Sequence, residues 1–136
     1  MSCLGENQPS KDISKRGKPM TKPKQVNTIA ILMPGDMGHG CAIAFQQNGF
    51  RVVTCLTGRS QRTQNLAKKA GLEVTPSLSV LVEKADLILS ILPPEYAVEQ
   101  AIHVAAEMKA ANTFPDYVDC NAISPATAKK VAAAFD

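Results

Sequence analysis

The sequence predicts an α/β fold, a doubly wound parallel sheet, on three observations. From residue 26 onward, strand-like apolar runs alternate with helix-like segments. The runs at 28–33 and 86–92 are almost continuously apolar, as in strands covered on both faces. The intervening segments are long enough for right-handed strand–helix–strand crossovers, which make neighbouring strands parallel. The expected strand order is 3-2-1-4-5, with the ligand crevice between the first and fourth strands, where the order reverses.

Each element follows in turn. Thr28-Ile29-Ala30-Ile31-Leu32-Met33 is the first strand. Residues 37–47 read as a helix stopped by Asn48-Gly49, since glycine accepts the left-handed conformation that closes a helix. Residues 51–56 are a second strand rich in β-branched residues. Ser60 caps a helix that runs to Ala70, with Gly71 beyond its end. A brief strand at 73–74 and a short helical turn at 78–84 follow. The buried strand 86–92 is stopped by Pro93-Pro94, and an Ala-rich helix spans about 95–110. Residues 117–120 form the last strand. Ser124-Pro125 opens a final helix, with serine at the cap and proline at the first helical position.

Residues 1–25 differ in kind. They hold Lys11, Lys15, Arg16, Lys18, Lys22 and Lys24 against Glu6 and Asp12, with three prolines and few large apolar side chains. Such a segment cannot bury enough apolar area to offset its ordering entropy, so a disordered basic arm is expected. The formal net charge of +3 belongs to this arm; residues 26–136 are near neutral and form the single expected domain. The arm reads as a solvated leader, with no nucleic-acid or membrane partner expected. It lacks the apolar core of a secretory signal. No apolar run approaches the roughly 20 residues of a membrane span. Cys3, Cys41, Cys55 and Cys120 show no metal-like spacing, and neither His39 nor His103 has a second ligand type nearby. Cys41, Cys55 and Cys120 read as small hydrophobes in a helix and two strands. A reducing cytoplasmic location is the expectation.

The chemistry concentrates after the first strand. In Met33-Pro34-Gly35-Asp36-Met37-Gly38, a strand gives way to a helix where a dinucleotide fingerprint places Gly-x-Gly-x-x-Gly. Gly35 fills the second position, where the backbone must approach a pyrophosphate, and Gly38 the third, where helix and strand pack closely. Met33 stands at the first position, so the match is incomplete. The helix N-terminus offers free N–H groups and the positive end of its dipole. The predicted architecture is therefore Rossmann-like. NAD sites carry an acid about 20 residues past this loop, for the ribose hydroxyls. Here that region reads Thr57-Gly58-Arg59-Ser60-Gln61-Arg62-Thr63, without an acid. Arg59 is suited to clamp a 2′-phosphate, with Ser60, Arg62 and Thr63 as further donors. NADP is the expected cofactor.

With these residues, the chain resembles the N-terminal domain of the β-hydroxyacid dehydrogenases, the family of 6-phosphogluconate and 3-hydroxyisobutyrate dehydrogenases. The resemblance covers residues 26–136. It rests on Pro34-Gly35-Asp36-Met37-Gly38, on 58–63, on Ser90-Ile91-Leu92-Pro93-Pro94 and on Asp119-Cys120-Asn121-Ala122-Ile123-Ser124-Pro125. It implies that Gly35, Asp36, Met37 and Gly38 form the pyrophosphate loop. Arg59, with Ser60 or Arg62, would meet the 2′-phosphate. Leu92 and Pro93 would pass the ribose or nicotinamide. Asn121 stands at a polar position near nicotinamide and substrate, or else is a turn residue before the helix. Ala122 lacks the hydroxyl that the family often has beside it. In this family the catalytic lysine lies in a second, all-helical domain; no residue matches it here. The expectation is NADP(H) binding, a small hydroxyacid as possible substrate, no complete dehydrogenase activity from this chain alone, and no assignable oligomeric state. The alternative is a non-catalytic NADP-binding sensor or regulatory module.

Overall fold

Strand β1 (Thr28–Leu32) is buried at every residue, as its unbroken apolar sequence demands. The computed structural model describes residues 25–32 and 35–136. The expectation of a disordered arm, Cys3, and the loop residues Met33 and Pro34 lie outside the described residues. Around β1 a parallel sheet is built from β2 (Arg51–Cys55), β3 (Glu73–Thr75), β4 (Leu87–Ser90) and β5 (Asp116–Asp119). Its order is β3-β2-β1-β4-β5, the one expected from the sequence. β1 pairs with β2 through Ile29 and Val52, and with β4 through Ala30 and Ile88.

Two helical layers cover the sheet, and the alternation of β1 side chains assigns them. Ile29 and Ile31 pack with Ala42 of α1 (Asp36–Gln47) and with Ala67 and Ala70 of α2 (Gln61–Ala70). Ala30 and Leu32 face the opposite way. They meet Leu81 and Val82 of α3 (Leu78–Lys84) and Val104 and Met108 of α4 (Ala97–Ala111). A third cluster joins Ala97 and Ala101 of α4 to Val131 of α5 (Pro125–Ala133). Each fully buried Leu, Ile or Val contributes about 1.5–3 kcal/mol by leaving water. Two buried threonine hydroxyls are satisfied: Thr54 Oγ1 donates to the Ile31 carbonyl at 2.7 Å, and Thr75 Oγ1 to the Thr54 carbonyl at 3.2 Å.

Helix ends follow local chemistry. Ser60, Ser77 and Ser124 accept from the backbone N–H of Thr63, Val80 and Thr127 at 3.2, 3.3 and 3.2 Å. Pro125 takes the first helical position of α5. Gly71 closes α2 at a φ of 70°, a left-handed value that a side chain would strain.

Several boundaries differ from expectation, each for a local reason. β4 is shorter than 86–92. At its start the Asp86 carboxylate accepts from the backbone N–H of Asn27 and Thr28, both at 2.9 Å, and so clips β1 in place. Past its end, the Leu92 N–H turns to Asn121. The long helix begins with a 3₁₀ turn at Pro94–Tyr96 before α4 proper. His39 lies within α1, inside the 37–47 helix expected from the sequence, and is half-buried. Cys120 is exposed just beyond β5, not packed inside a strand, because the Asn121 N–H folds back to Asp119 Oδ1 at 2.8 Å.

The edge strand β3 is held by charge as well as by its ladder. Arg51 donates to both carboxylate oxygens of Glu73, at 2.8 and 2.6 Å, and Lys84 adds a contact at 3.1 Å. These hydrogen bonds, Arg51 first, hold the Glu73 carboxyl below its ordinary 4.5. A depressed folded value means stabilisation that is present above pH 4.5 and lost as pH falls through the folded value. Glu73→Gln should therefore lose a small part of its stability at neutral pH and converge with the parent below that window. Chemical denaturation at pH 7 and along an acid series below pH 4.5 checks this; a gap that does not narrow as pH falls would contradict it.

Candidate functional site

The order of the sheet reverses at β1 and β4, and three cavities open at the carboxyl ends of its strands. A cleft of about 500 Å³ opens between the start of α1, the first turn of α2 and the loops after β4 and β5. Gly35, Met37, Gly38, Leu92, Pro93 and Asn121 line it together. A chain-distant set of expected residues therefore meets in one place.

The α1 end of this cleft is built to receive an acceptor. Gly35 is the N-cap of α1 and supplies no side-chain cap. The first helical N–H groups are thus left for another partner, and they carry the positive end of the helix dipole. Gly38 is buried, whereas Met37 is 70% exposed at the rim. Asp36 opens the helix.

The other end of the crevice lies past β2. Cavities of about 460 and 250 Å³ meet there, and Arg59 lines both. The turn before it needs Gly58, whose φ is 76°. The Arg59 backbone is held at both ends: its N–H donates to the Leu56 carbonyl at 3.0 Å, and its carbonyl accepts from Gln64 Nε2 at 3.1 Å. Its side chain is not. Arg59 Nε is buried and has no hydrogen-bond partner, a costly condition for a cation unless an anion completes the site. No acid occupies the segment 57–63.

Ser60 and Arg62 line none of these three cavities. The Ser60 hydroxyl caps α2 and also bonds Thr63 Oγ1 at 3.1 Å. Arg62 is exposed on the first turn of α2 and already has an interaction partner. Thr63 is buried and lines the larger cleft beside Gly35 and Gly38.

Asn121 occupies the β5 side of the cleft, and its amide ties two strand ends together. Oδ1 accepts from the Leu92 N–H at 2.7 Å, and Nδ2 donates to Ser90 Oγ at 3.2 Å. Asn121→Ala would strand the part-buried Leu92 N–H, at a cost of about 1–3 kcal/mol. Urea denaturation should show a lower midpoint with an unchanged slope; an unchanged midpoint would mean that the amide holds nothing. Behind Asn121, the Tyr117 hydroxyl is buried without a hydrogen-bond partner and stacks near Phe135, with ring centroids 4.6 Å apart. Burial pushes its phenol above 10.0, against a smaller opposing effect of Ser90. Burial, with the nearby Asp119 carboxylate, likewise raises the Cys120 thiol above its ordinary 9.0, the opposite direction from the shift that activates a thiolate.

Gln100 and His103, with Glu99, were not expected at the site. They line the 460 Å³ cavity from α4. The spacing of Glu99, His103 and Glu107 puts them on one helical stripe, but nothing local says which way that stripe faces. Among the described residues no group of three or more His, Cys, Asp or Glu could hold a metal ion. No described helix is long and apolar enough to cross a membrane.

A cleft at the point where the strand order reverses is where open α/β sheets take their ligands. The model of the NAD binding domain of 6-phosphogluconate dehydrogenase matches residues 28–136. The chain belongs to this family. It is an NAD-binding domain of the hydroxyacid dehydrogenase-like proteins, and a nicotinamide dinucleotide is its cofactor class. An uncharacterised 28.5 kDa protein of Methanothermus fervidus is 32% identical over 87 residues, which is 64% of this chain and 33% of that protein. Among solved structures, a conserved protein of unknown function, described as similar to 3-hydroxyacid dehydrogenases, superposes with a TM-score of 0.71 at 25% identity. That match covers 80% of this chain and 40% of the other. The 3-hydroxyisobutyrate dehydrogenase of Mycobacterium tuberculosis gives a TM-score of 0.65 at 24% identity, over 80% of this chain and 36% of the enzyme, a likeness of fold. The NAD-binding domain described here thus spans well under half the length of the relatives it matches.

Proposed function

We propose that this chain is the NADP-binding part of a β-hydroxyacid dehydrogenase-like oxidoreductase, acting on a hydroxyacid or a similar small substrate. The observation that carries the choice of NADP is Arg59: a guanidinium with a buried, unpartnered Nε beside the dinucleotide cleft, in a segment that lacks an acid. A carboxylate at that place would accept the ribose hydroxyls of NAD and repel a 2′-phosphate, whereas a guanidinium does the opposite.

In this reading Gly35, Asp36, Met37 and Gly38 receive the pyrophosphate at the start of α1, with Thr63 closing the other wall. Arg59 binds the 2′-phosphate. Ser60 and Arg62 stand next to it on α2; any contact from Ser60 would compete with its capping bond. Leu92 and Pro93 flank the ribose and nicotinamide, and Asn121 holds the Leu92 backbone in place. The bound cofactor supplies or accepts hydride. The chain's own residues orient the dinucleotide and present the nicotinamide end at the 500 Å³ cleft.

The single test is a fluorescence titration of the purified chain with NADPH and NADH. NADPH should bind at least about tenfold more tightly, the equivalent of one charge-assisted contact. Equal affinities would remove the NADP assignment and leave the dinucleotide site standing.

A further inference from the structure

Glu99 and Arg59 line the same two cavities. The smaller, about 250 Å³, is lined among the described residues by Arg59, Leu92, Tyr96, Glu99 and Gln100, and the larger, about 460 Å³, also carries Arg59, Glu99 and Gln100. Glu99 stands in the first turn of α4 and is exposed. A carboxylate in that turn is favourable to the helix dipole. It forms no ion pair with Arg59 within 4 Å, nor with any other described residue. A cation and an anion therefore face one small cavity without neutralising each other directly.

The geometry points to Glu99 as a second determinant of cofactor choice, one that opposes Arg59. This rests on the reading of Arg59 as the 2′-phosphate site. A monoester phosphate carries roughly −1.5 to −2 charges at neutral pH. Brought to Arg59, it enters a cavity where a fixed carboxylate repels it across water and polar surface. The repulsion at such a partly exposed distance is modest. The 2′-hydroxyl of NAD carries no charge and meets no such repulsion. Glu99 thus narrows the gap between NADP and NAD that Arg59 opens. Two neighbours on α4 share the larger cavity without sharing the smaller: His103 and Glu107. Glu107 serves as an internal control, being an acid of the same helix at a greater remove from the space between Arg59 and Leu92.

The test is the ratio of NADPH to NADH affinity, measured by fluorescence titration of the full chain and of Glu99→Gln, Glu99→Lys and Glu107→Gln. A ratio cancels any general loosening of α4, which would weaken both cofactors alike. Glu99→Gln should raise the ratio about three- to tenfold, through tighter NADPH binding with NADH nearly unchanged. Glu99→Lys should raise it further, Glu107→Gln less, and added salt should shrink all three effects. Failure of the parent chain to prefer NADPH would overturn the Arg59 reading and this inference with it. A parent that prefers NADPH, joined with a ratio unchanged in both Glu99 variants, would overturn the role of Glu99 alone. Equal weakening of both cofactors would make Glu99 a structural residue of α4 and would also overturn it.

Discussion

Replacing Arg59 with alanine is expected to weaken NADPH binding about ten- to a hundredfold while changing NADH affinity by no more than about twofold. A hydrogen bond between a guanidinium and a phosphate is worth about 1.5–3 kcal/mol, and 1.4 kcal/mol is a factor of ten. The guanidinium lies partly out of water, with Nε buried and unpartnered, so much of its desolvation has been incurred before the ligand arrives. That raises its share of the binding energy relative to a fully solvated arginine. The substitution should be silent in folding. The backbone at Arg59 is held by Leu56 and Gln64 through main-chain groups, and the left-handed Gly58 that forms the turn is untouched. Arg59→Lys separates charge from shape: it keeps a cation but loses the planar fork, so its NADPH affinity should fall between the parent and alanine. The same titration, repeated in salt, should show the preference shrinking as ionic strength rises. An alanine variant that still favours NADPH by the parent ratio would place the 2′-phosphate elsewhere.

The second large effect concerns stability and reaches the site indirectly. Leu81→Ala should lower the stability of the fold by about 2–5 kcal/mol. Leu81 is 0% exposed and packs in the cluster of Ala30, Leu32, Val53, Ile88 and Val104. It anchors α3, a helix of seven residues. A helix of that length has no independent stability in water; it exists because its apolar face is buried and because Ser77 caps it. At about 3–6 °C per kcal/mol for a domain of this size, the midpoint should fall by roughly 6–30 °C. A loss below about 1 kcal/mol would mean that the neighbours collapse into the vacated space. The consequence for binding follows from position. Ser77, Leu78 and Ser79 line the 460 Å³ cavity beside Arg59, so a loosened α3 should weaken both cofactors together. That pattern differs from the selective loss at Arg59, and one set of titrations distinguishes the two.

Most of the architecture was legible before any coordinates, because the signals that specify it are local. Ser60, Ser77 and Ser124 cap helices through their own next turn; the first and third were readable by eye, and the second was hidden beneath a short helix of ordinary composition. The continuous apolar run at β1 implied burial on both faces, and the handedness of crossovers then left one strand order. The family resemblance drawn from the loop, the 58–63 segment and the 119–125 segment agrees with the match over residues 28–136. Boundaries were less legible where a long-range bond decides them. The carboxylate of Asp86 binds the start of β1, 58 and 59 residues away in sequence. The Asn121 amide draws Leu92 away from β4 across 29 residues. No window of sequence contains both partners.

The sequence by itself determined the parallel α/β architecture, the strand-to-helix loop at Gly35 and Gly38, and the basic, acid-free segment around Arg59. Each depends on residues a few positions apart: hydrophobic period, glycine at a turn, charge type at a strand end. Only the tertiary structure decided which of these share a cleft, and it did so by packing. It brought Thr63 and Asn121 to the loop and kept Ser60 and Arg62 out of the cavities that Arg59 lines. It also turned the Glu99–His103 face of α4 toward Arg59. The orientation of a helix about its axis follows from what its opposite face buries, here Ala97, Ala101, Val104 and Met108, and that depends on partners far along the chain.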